Sequence, residues 1–123
     1  MNWRLPTKGD LTKMYQNLHK NGIGDFSNTV YWSTSFFATR FYWCQDFTTG
    51  SQQDNSKYCN WRVRAVRTFE IDASSNYYKI GEVFHDGIVF DIQGNTVFIC
   101  KKQDEAGNYT WDEAVNLFNN ASI

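Results

Sequence analysis

The residues most able to do chemistry in this chain are few and widely spaced. His85 has Asp86 beside it, and an adjacent carboxylate can orient an imidazole for general-base work. The run Phe84-His85-Asp86-Gly87 reads as a turn entering a strand, though, and no Ser or Cys in a nucleophile motif lies near it. His19 falls at the end of a helical pattern, where its cation complements the negative helix end. Cys44, Cys59 and Cys100 cannot all pair within one chain, and none has CxxC-like ligand spacing, so no zinc site is expected. A Cys44–Cys59 bridge requires that the fold bring the two together in an oxidising compartment; free thiols are the simpler expectation. There is no phosphate-binding loop, dinucleotide fingerprint, HExxH or EF-hand loop, and Asp10, Asp25, Asp46 and Asp54 lack calcium-loop spacing. The sequence therefore predicts no enzyme, no metal and no cofactor.

Binding chemistry is better represented. Aromatic residues make up 18% of the chain, with 5 Trp, 7 Tyr and 10 Phe. Many fall between residues 33 and 60, in Ser33-Thr34-Ser35-Phe36-Phe37-Ala38-Thr39-Arg40-Phe41-Tyr42-Trp43-Cys44-Gln45-Asp46-Phe47 and, after a Thr/Gly/Ser/Gln/Asn-rich turn, Lys57-Tyr58-Cys59-Asn60-Trp61. Rings interleaved with Ser, Thr, Asn and Gly supply rigid amphipathic contact area together with adaptable hydrogen bonding, the composition of a paratope. A loop-rich core would have the same composition. Arg62, Arg64 and Arg67 could form a basic stripe, but on an alternating strand they read as a solvated, edge-protecting face.

The elements that must position these residues can be read from spacing. The chain has 123 residues, enough for one domain with a real core. Its 12 Lys+Arg balance 13 Asp+Glu, which argues against a nucleic-acid partner. No apolar run is long enough to insert in a membrane, and the N-terminal residues lack the apolar core of a signal peptide. Thr7 and Asp10 open a helix predicted over 8–20, with Leu11, Met14, Tyr15 and Leu18 on one stripe and Asn21-Gly22 as its stop. Thr110 and Glu113 form a second capping box before Ala114, Val115, Leu117 and Phe118.

Between the helices the pattern is β. Strands are predicted at 29–33, 41–48, 62–69, 87–92 and 96–101, the last two joined by the turn Gln93-Gly94-Asn95. Residues 33–60 read mostly as long loops carrying short strands, and a connection that long usually has a function. The expected core is Trp3, Leu5, Leu11, Met14, Leu18, Trp32, Trp43, Val63, Val66, Ile88, Phe90, Val97, Ile99, Trp111 and Leu117. The predicted class is α+β: two helices flanking a small, mainly antiparallel sheet, with long loops on one side.

Trp3-Arg4-Leu5-Pro6-Thr7 before a helix, Tyr31-Trp32-Ser33-Thr34, and Val63-Arg64-Ala65-Val66-Arg67 resemble the WRLPT…YWSS…VRAVR series of the Legionella collagen-like protein C-terminal domain family, over residues 3–69. Ile80-Gly81-Glu82, Asp86-Gly87-Ile88-Val89-Phe90 and Trp111-Asp112-Glu113-Ala114 resemble the part of that family that normally precedes WRLPT. The resemblance implies one C-type-lectin-like domain over 1–123 in circularly permuted order: 3–69 as the family's C-terminal half, 80–123 as its N-terminal half, 70–79 as the join. The rival order is a slice of a tandem array, completed as a homo-oligomer by swapping halves.

Some members of such lectin-like families are variable proteins of diversity-generating retroelements, including phage proteins. In these, adenine-directed mutagenesis of Asn codons never yields Trp, Lys, Gln or Glu. Here Phe36, Phe37, Thr39, Arg40, Phe41, Tyr42, Cys44, Asp46, Asp54, Asn55, Ser56, Tyr58, Cys59 and Asn60 are reachable from an Asn codon. Trp43, Gln45, Lys57 and Trp61 are not, and are expected as scaffold. The function the resemblance implies is non-enzymatic recognition of a protein or glycan on a cell surface, with the chain on a virion or cell surface. The expected ligand-binding residues are Phe36, Phe37, Thr39, Arg40, Phe41, Tyr42, Cys44, Asp46, Asn55, Tyr58 and Asn60. The alternative is a structural or oligomerisation module of a fibre, pilus or adhesin. An enzyme of the formylglycine-generating branch would need Cys44 and Cys59 as a reactive pair.

Overall fold

The computed structural model describes residues 2–72 and 78–119. The first helix, α1 (Lys8–Asn17), starts on the expected capping box: Asp10 N donates to Thr7 Oγ1 at 3.1 Å, and Thr7 N donates to Asp10 Oδ2 at 2.9 Å. Two orphan helix-end donors are thereby satisfied. The helix then tightens to a 3-10 turn over His19–Asn21, and Gly22 stops it with φ 72°, a left-handed conformation that glycine adopts at little cost. The second helix, α2 (Trp111–Asn119), opens on the reciprocal pair, Thr110 N to Glu113 Oε1 at 2.9 Å and Glu113 N to Thr110 Oγ1 at 3.4 Å.

Two antiparallel sheets lie between the helices in sequence. The first is a meander of β1 (Val30–Ala38), β2 (Phe41–Asp46) and β3 (Gln52–Ser56). The second has the order β4-β7-β6-β5, built from β4 (Val66–Glu70), β5 (Val83–Phe84), β6 (Gly87–Gln93) and β7 (Thr96–Lys101). The class is α+β with two helices, as expected; the single small sheet expected between them is corrected to two. The long loops expected over 33–60 are corrected: that segment is mostly strand. Its polar third strand Gln52-Gln53-Asp54-Asn55-Ser56 has little strand propensity of its own and is held by register with β2, Phe41 opposite Ser56 through Gln45 opposite Gln52.

The first core lies where α1 meets both sheets: Leu11, Met14 and Leu18 pack with Tyr31, Phe47, Val66, Ile88, Phe90 and Cys100. A second lies under α2, where Leu5, Val30, Trp32, Cys44, Val63 and Ala114 are buried. A third backs the second sheet, with Val89, Val97 and Ile99 buried beneath Trp3, Phe69 and Phe84. Of the expected core, Trp3, Trp43, Trp111 and Leu117 are only half-buried. Tyr31 and Phe47 are fully enclosed instead, as two rings of one aromatic cluster whose centroids lie 4.6 Å apart.

The strand expected over 62–69, with its arginines solvated, is corrected as well, while Val63 and Val66 are buried as expected. Only Val66–Glu70 is strand; residues 63–66 are all buried, because this stretch crosses between the sheets with backbone partners on several sides. Trp32 N donates to Arg62 O, Glu105 N to Val63 O, and Lys101 N to Ala65 O. Arg64 is consequently interior. Its Nε and Nη2 reach Asp104 Oδ1, both at 2.9 Å. Nη1 donates to Gly24 O and Lys101 O, Nη2 also to Asp25 O, and the guanidinium carbon sits 4.0 Å from the Phe26 ring centroid. Tyr31 OH closes the network on Asp104 Oδ2 at 2.7 Å. All five guanidinium N–H groups are thus used.

Residues 78–119 pack on residues 2–72 of the same chain through this network and through the β4–β7 ladder, Val66 opposite Cys100 to Glu70 opposite Thr96. Part of the expected join, 73–77, lies outside the described residues, as do Met1 and 120–123.

Candidate functional site

The tip of the β1–β2 hairpin is where the expected binding residues come together. β1 enters through the buried Val30–Ser33 stretch and leaves as an exposed arm. Between the pairs Trp32–Cys44 and Phe36–Tyr42, Ser33, Thr34 and Ser35 oppose Trp43 alone, so β1 bulges. Ser33 holds the bulge: its Oγ donates to Trp43 O at 2.6 Å and accepts from Ser35 N at 3.0 Å. Trp111 Nε1 donates to Ser33 O at 2.9 Å, and Thr34 N to Pro6 O at 2.8 Å. A second irregularity leaves Phe37 without an opposing residue between the pairs Phe36–Tyr42 and Ala38–Phe41. Strict alternation would send neighbouring side chains to opposite faces; here Phe36 and Phe37 are both exposed, at 63% and 49%.

Thr39 and Arg40 turn the hairpin, both exposed, and Arg40 has φ 66°. Its carbonyl accepts from Lys57 N at 2.8 Å. That bond ties the turn after β3 to the tip, beside Phe41 (40% exposed) and Tyr58 (64% exposed). Lys57 is fixed in turn: its Nζ lies 3.0 Å from Asp112 Oδ2, its carbonyl accepts from Trp111 N at 3.0 Å, and the hydrogen bond with Asp112 raises its pKa. Phe36, Phe37, Thr39, Arg40, Phe41 and Tyr58 therefore share one end of the molecule, and Asn60 is exposed just beyond the turn.

Four expected residues stand differently. Tyr42 is half-buried and stacks flat on Trp111, with centroids 3.7 Å apart and planes 7° apart, while Phe36 meets its edge at 5.8 Å. Cys44 is fully enclosed opposite Trp32 in the core under α2 and cannot touch a ligand, which corrects its assignment. Asp46 sits at the far end of β2, where Oδ1 accepts from Thr48 N at 2.8 Å and shapes the turn to β3. Asn55 lies half-buried opposite Tyr42.

The thiols are free. Burial pushes Cys44 up to about 12 and Cys100 up to about 11, so both stay protonated and poorly nucleophilic at neutral pH. His85 is a turn residue, as expected, with φ 54° and its ring stacked on Phe69 at 4.4 Å. His19 closes α1's last turns, its Nε2 2.9 Å from Asn28 Oδ1. Among the described residues no His/Cys/Asp/Glu group is arranged to hold a metal, and no helix is long and apolar enough to cross a membrane.

Sequence reasoning places Trp43 and Lys57 in the scaffold and Trp43 and Trp111 in the core, but misses that they support the tip. Trp111 and Lys57 hold it from behind, and Trp43 backs Phe37 edge-on at 5.2 Å with Lys8 Nζ 4.3 Å above its ring. A tryptophan at a helix start carries no signal that its face will meet a tyrosine 69 positions earlier. Comparison with family models, with curated proteins and with solved structures finds no match.

Proposed function

We propose that this chain is a C-type-lectin-like domain of the Legionella collagen-like protein C-terminal type, in circularly permuted order, whose hairpin tip binds a ligand non-covalently. The observation that carries the reading is the gathering of Phe36, Phe37, Phe41 and Tyr58 in the open around Arg40, on a tip held by internal hydrogen bonds. Apolar side chains held rigidly in solvent have little to offer stability and much to offer a partner.

The division within 36–61 supports the further proposal that the tip is the variable surface of a retroelement-diversified protein. Trp43, Gln45, Lys57 and Trp61, which an Asn codon cannot reach, are structural ties. Gln45 is buried and its Nε2 donates to Gly50 O at 3.0 Å. Trp61 exchanges backbone bonds with Tyr109, Lys57 pairs with Asp112, and Trp43 lies under Lys8. The permuted order is supported by the ends: Phe118 and Asn119 of α2 line one cleft of about 320 Å³ with Arg4 and Leu5, so a junction there spans little distance.

The test has two arms. Labelled domain is measured on a panel of bacterial cell surfaces beside the Phe36→Ser/Phe37→Ser/Phe41→Ser variant, which should keep its melting curve and lose cell binding. The source genome should hold an Asn-rich near-copy of 36–60 beside a reverse transcriptase. Equal cell binding by the triple variant overturns the binding reading; self-association through the tip with no cell binding favours a structural module instead.

A further inference from the structure

The tip offers an unusual set of free groups. Two of the three rings there whose polar edge and flat face would suit a sugar are already engaged: Tyr42 is covered by Trp111 at 3.7 Å, and Trp43 has Lys8 Nζ 4.3 Å above it, while the third, Tyr58, is 64% exposed. The rings left open are mainly phenylalanines, which bring apolar area and no hydrogen-bonding handle. Among the described residues, the clefts lined from within 108–117, by Asp86 with 101–106, and on either side of Arg4, about 320 to 500 Å³ each, take no lining residue from Phe36, Phe37, Thr39, Arg40, Phe41 or Tyr58. A small ligand or sugar needs a concavity with converging polar groups; this patch projects instead.

Arg40 supplies the one charge at the turn. Its backbone sits at φ 66°, a conformation in which a side-chain-bearing residue is disfavoured and glycine is not. Among the described residues its guanidinium has no hydrogen bond, ion pair or ring contact, so no interaction of the side chain within the domain offsets that strain; the bond at this residue is the backbone carbonyl's, from Lys57 N. Strain held without an internal reason concentrates at ligand contacts.

We propose that the tip is a wedge for a protein partner: an apolar groove bordered by at least one carboxylate, which receives the Phe36/Phe37/Phe41 rings and pairs with Arg40. The proposal rests on the reading of this patch as the binding surface and adds the chemistry of what it binds. Guanidinium–carboxylate pairing fixes register, while the rings carry the affinity.

The full chain is screened against a displayed random-peptide library and against an array of neutral and acidic oligosaccharides. Selected peptides should combine apolar residues with Asp or Glu. They should lose affinity at least about tenfold on the Arg40→Glu variant and on Phe36→Ala or Phe41→Ala. Reversing the peptide carboxylate to Lys should restore binding to Arg40→Glu, a rescue that mere surface stickiness would not give. Peptides that ignore Arg40→Glu but need Phe36 and Phe41 overturn the acidic partner and leave the binding surface standing. Oligosaccharides bound through the same residues overturn the protein partner, also with the surface intact. Binders indifferent to all three variants overturn both. Unchanged melting curves for each variant keep misfolding out of the comparison.

Discussion

Two arginines mark the extremes of this molecule. Arg64 is 0% exposed, with every N–H satisfied by Asp104, Gly24, Asp25 and Lys101 and its face over Phe26. Arg40 stands at a hairpin tip on a strained backbone, surrounded by open rings. The Arg64 seam links the two stretches of chain that flank residues 73–77; the tip touches the rest of the domain mainly through Lys57, Trp111 and the Ser33 bulge. The difference shows how the chain divides its work. The Arg64 guanidinium is fully paired where shape must persist, and the Arg40 guanidinium is left open where an outside surface can pair it.

The contrast breaks most readily at the seam. Arg64→Ala strands the Asp104 carboxylate and should cost about 3–5 kcal/mol, enough to unfold a marginal domain at room temperature. Urea denaturation measures it; a loss under about 1 kcal/mol would mean that the seam does not hold the two stretches together. Replacing the pair together, Arg64→Met with Asp104→Leu, should recover only part of that loss: no buried charge is left alone, but the Gly24, Asp25 and Lys101 carbonyls and the Tyr31 hydroxyl each lose a partner.

A matched pair of ring truncations sharpens the comparison further. Tyr42→Ala removes the stack on Trp111 and packing against the core under α2, and should cost about 2–3 kcal/mol. Phe36→Ala, one strand away, should change stability by no more than about 0.5 kcal/mol. Equal costs in thermal melts would erase the distinction between frame and tip.

The buried thiols give the frame a pH signature. Cys44 and Cys100 have folded values of about 12 and about 11 against an ordinary 9.0, both raised chiefly by burial. Above pH 9 the unfolded chain loses these protons while the native chain keeps them, so their contribution is complete below 9 and is lost as pH rises. Between pH 9 and 10 the two together should remove about 2 kcal/mol. Tyr31, raised well above its ordinary 10.0 by burial and by its bond to Asp104, adds to the loss at higher pH. A stability curve flat from pH 8 to 10.5 would contradict the enclosure of these groups.

What was legible in the sequence is what short range decides. Both capping boxes, the Gly22 stop and the 93–95 turn depend on residues three or four apart, and all are present. The exposed rings were legible as a composition, but their arrangement was not. The Phe37 bulge depends on how β1 registers with β2, and the polar β3 depends on pairing with its neighbour. Arg64 was misread because alternation describes a strand with one wet face, whereas residues 63–66 cross an interior with partners on several sides. Cys44 was misassigned for a related reason: codon reachability says nothing about which face of β2 a residue occupies, and its face is the one under α2.

The smallest expected effect tests the tip most directly. In the left-handed region a residue with a Cβ is about 1–2 kcal/mol less favourable than glycine. Arg40→Gly relieves that strain at φ 66° and removes no internal contact, although glycine returns some entropy to the unfolded chain. The balance should be a gain of about 0.5–1 kcal/mol by urea denaturation. A residue serving the fold would show the opposite sign. If Arg40→Gly instead destabilises the domain, the guanidinium has a structural partner and the tip belongs to the frame. If it stabilises, the chain is holding a less stable turn than it could have, and the reason must lie in what the turn meets outside.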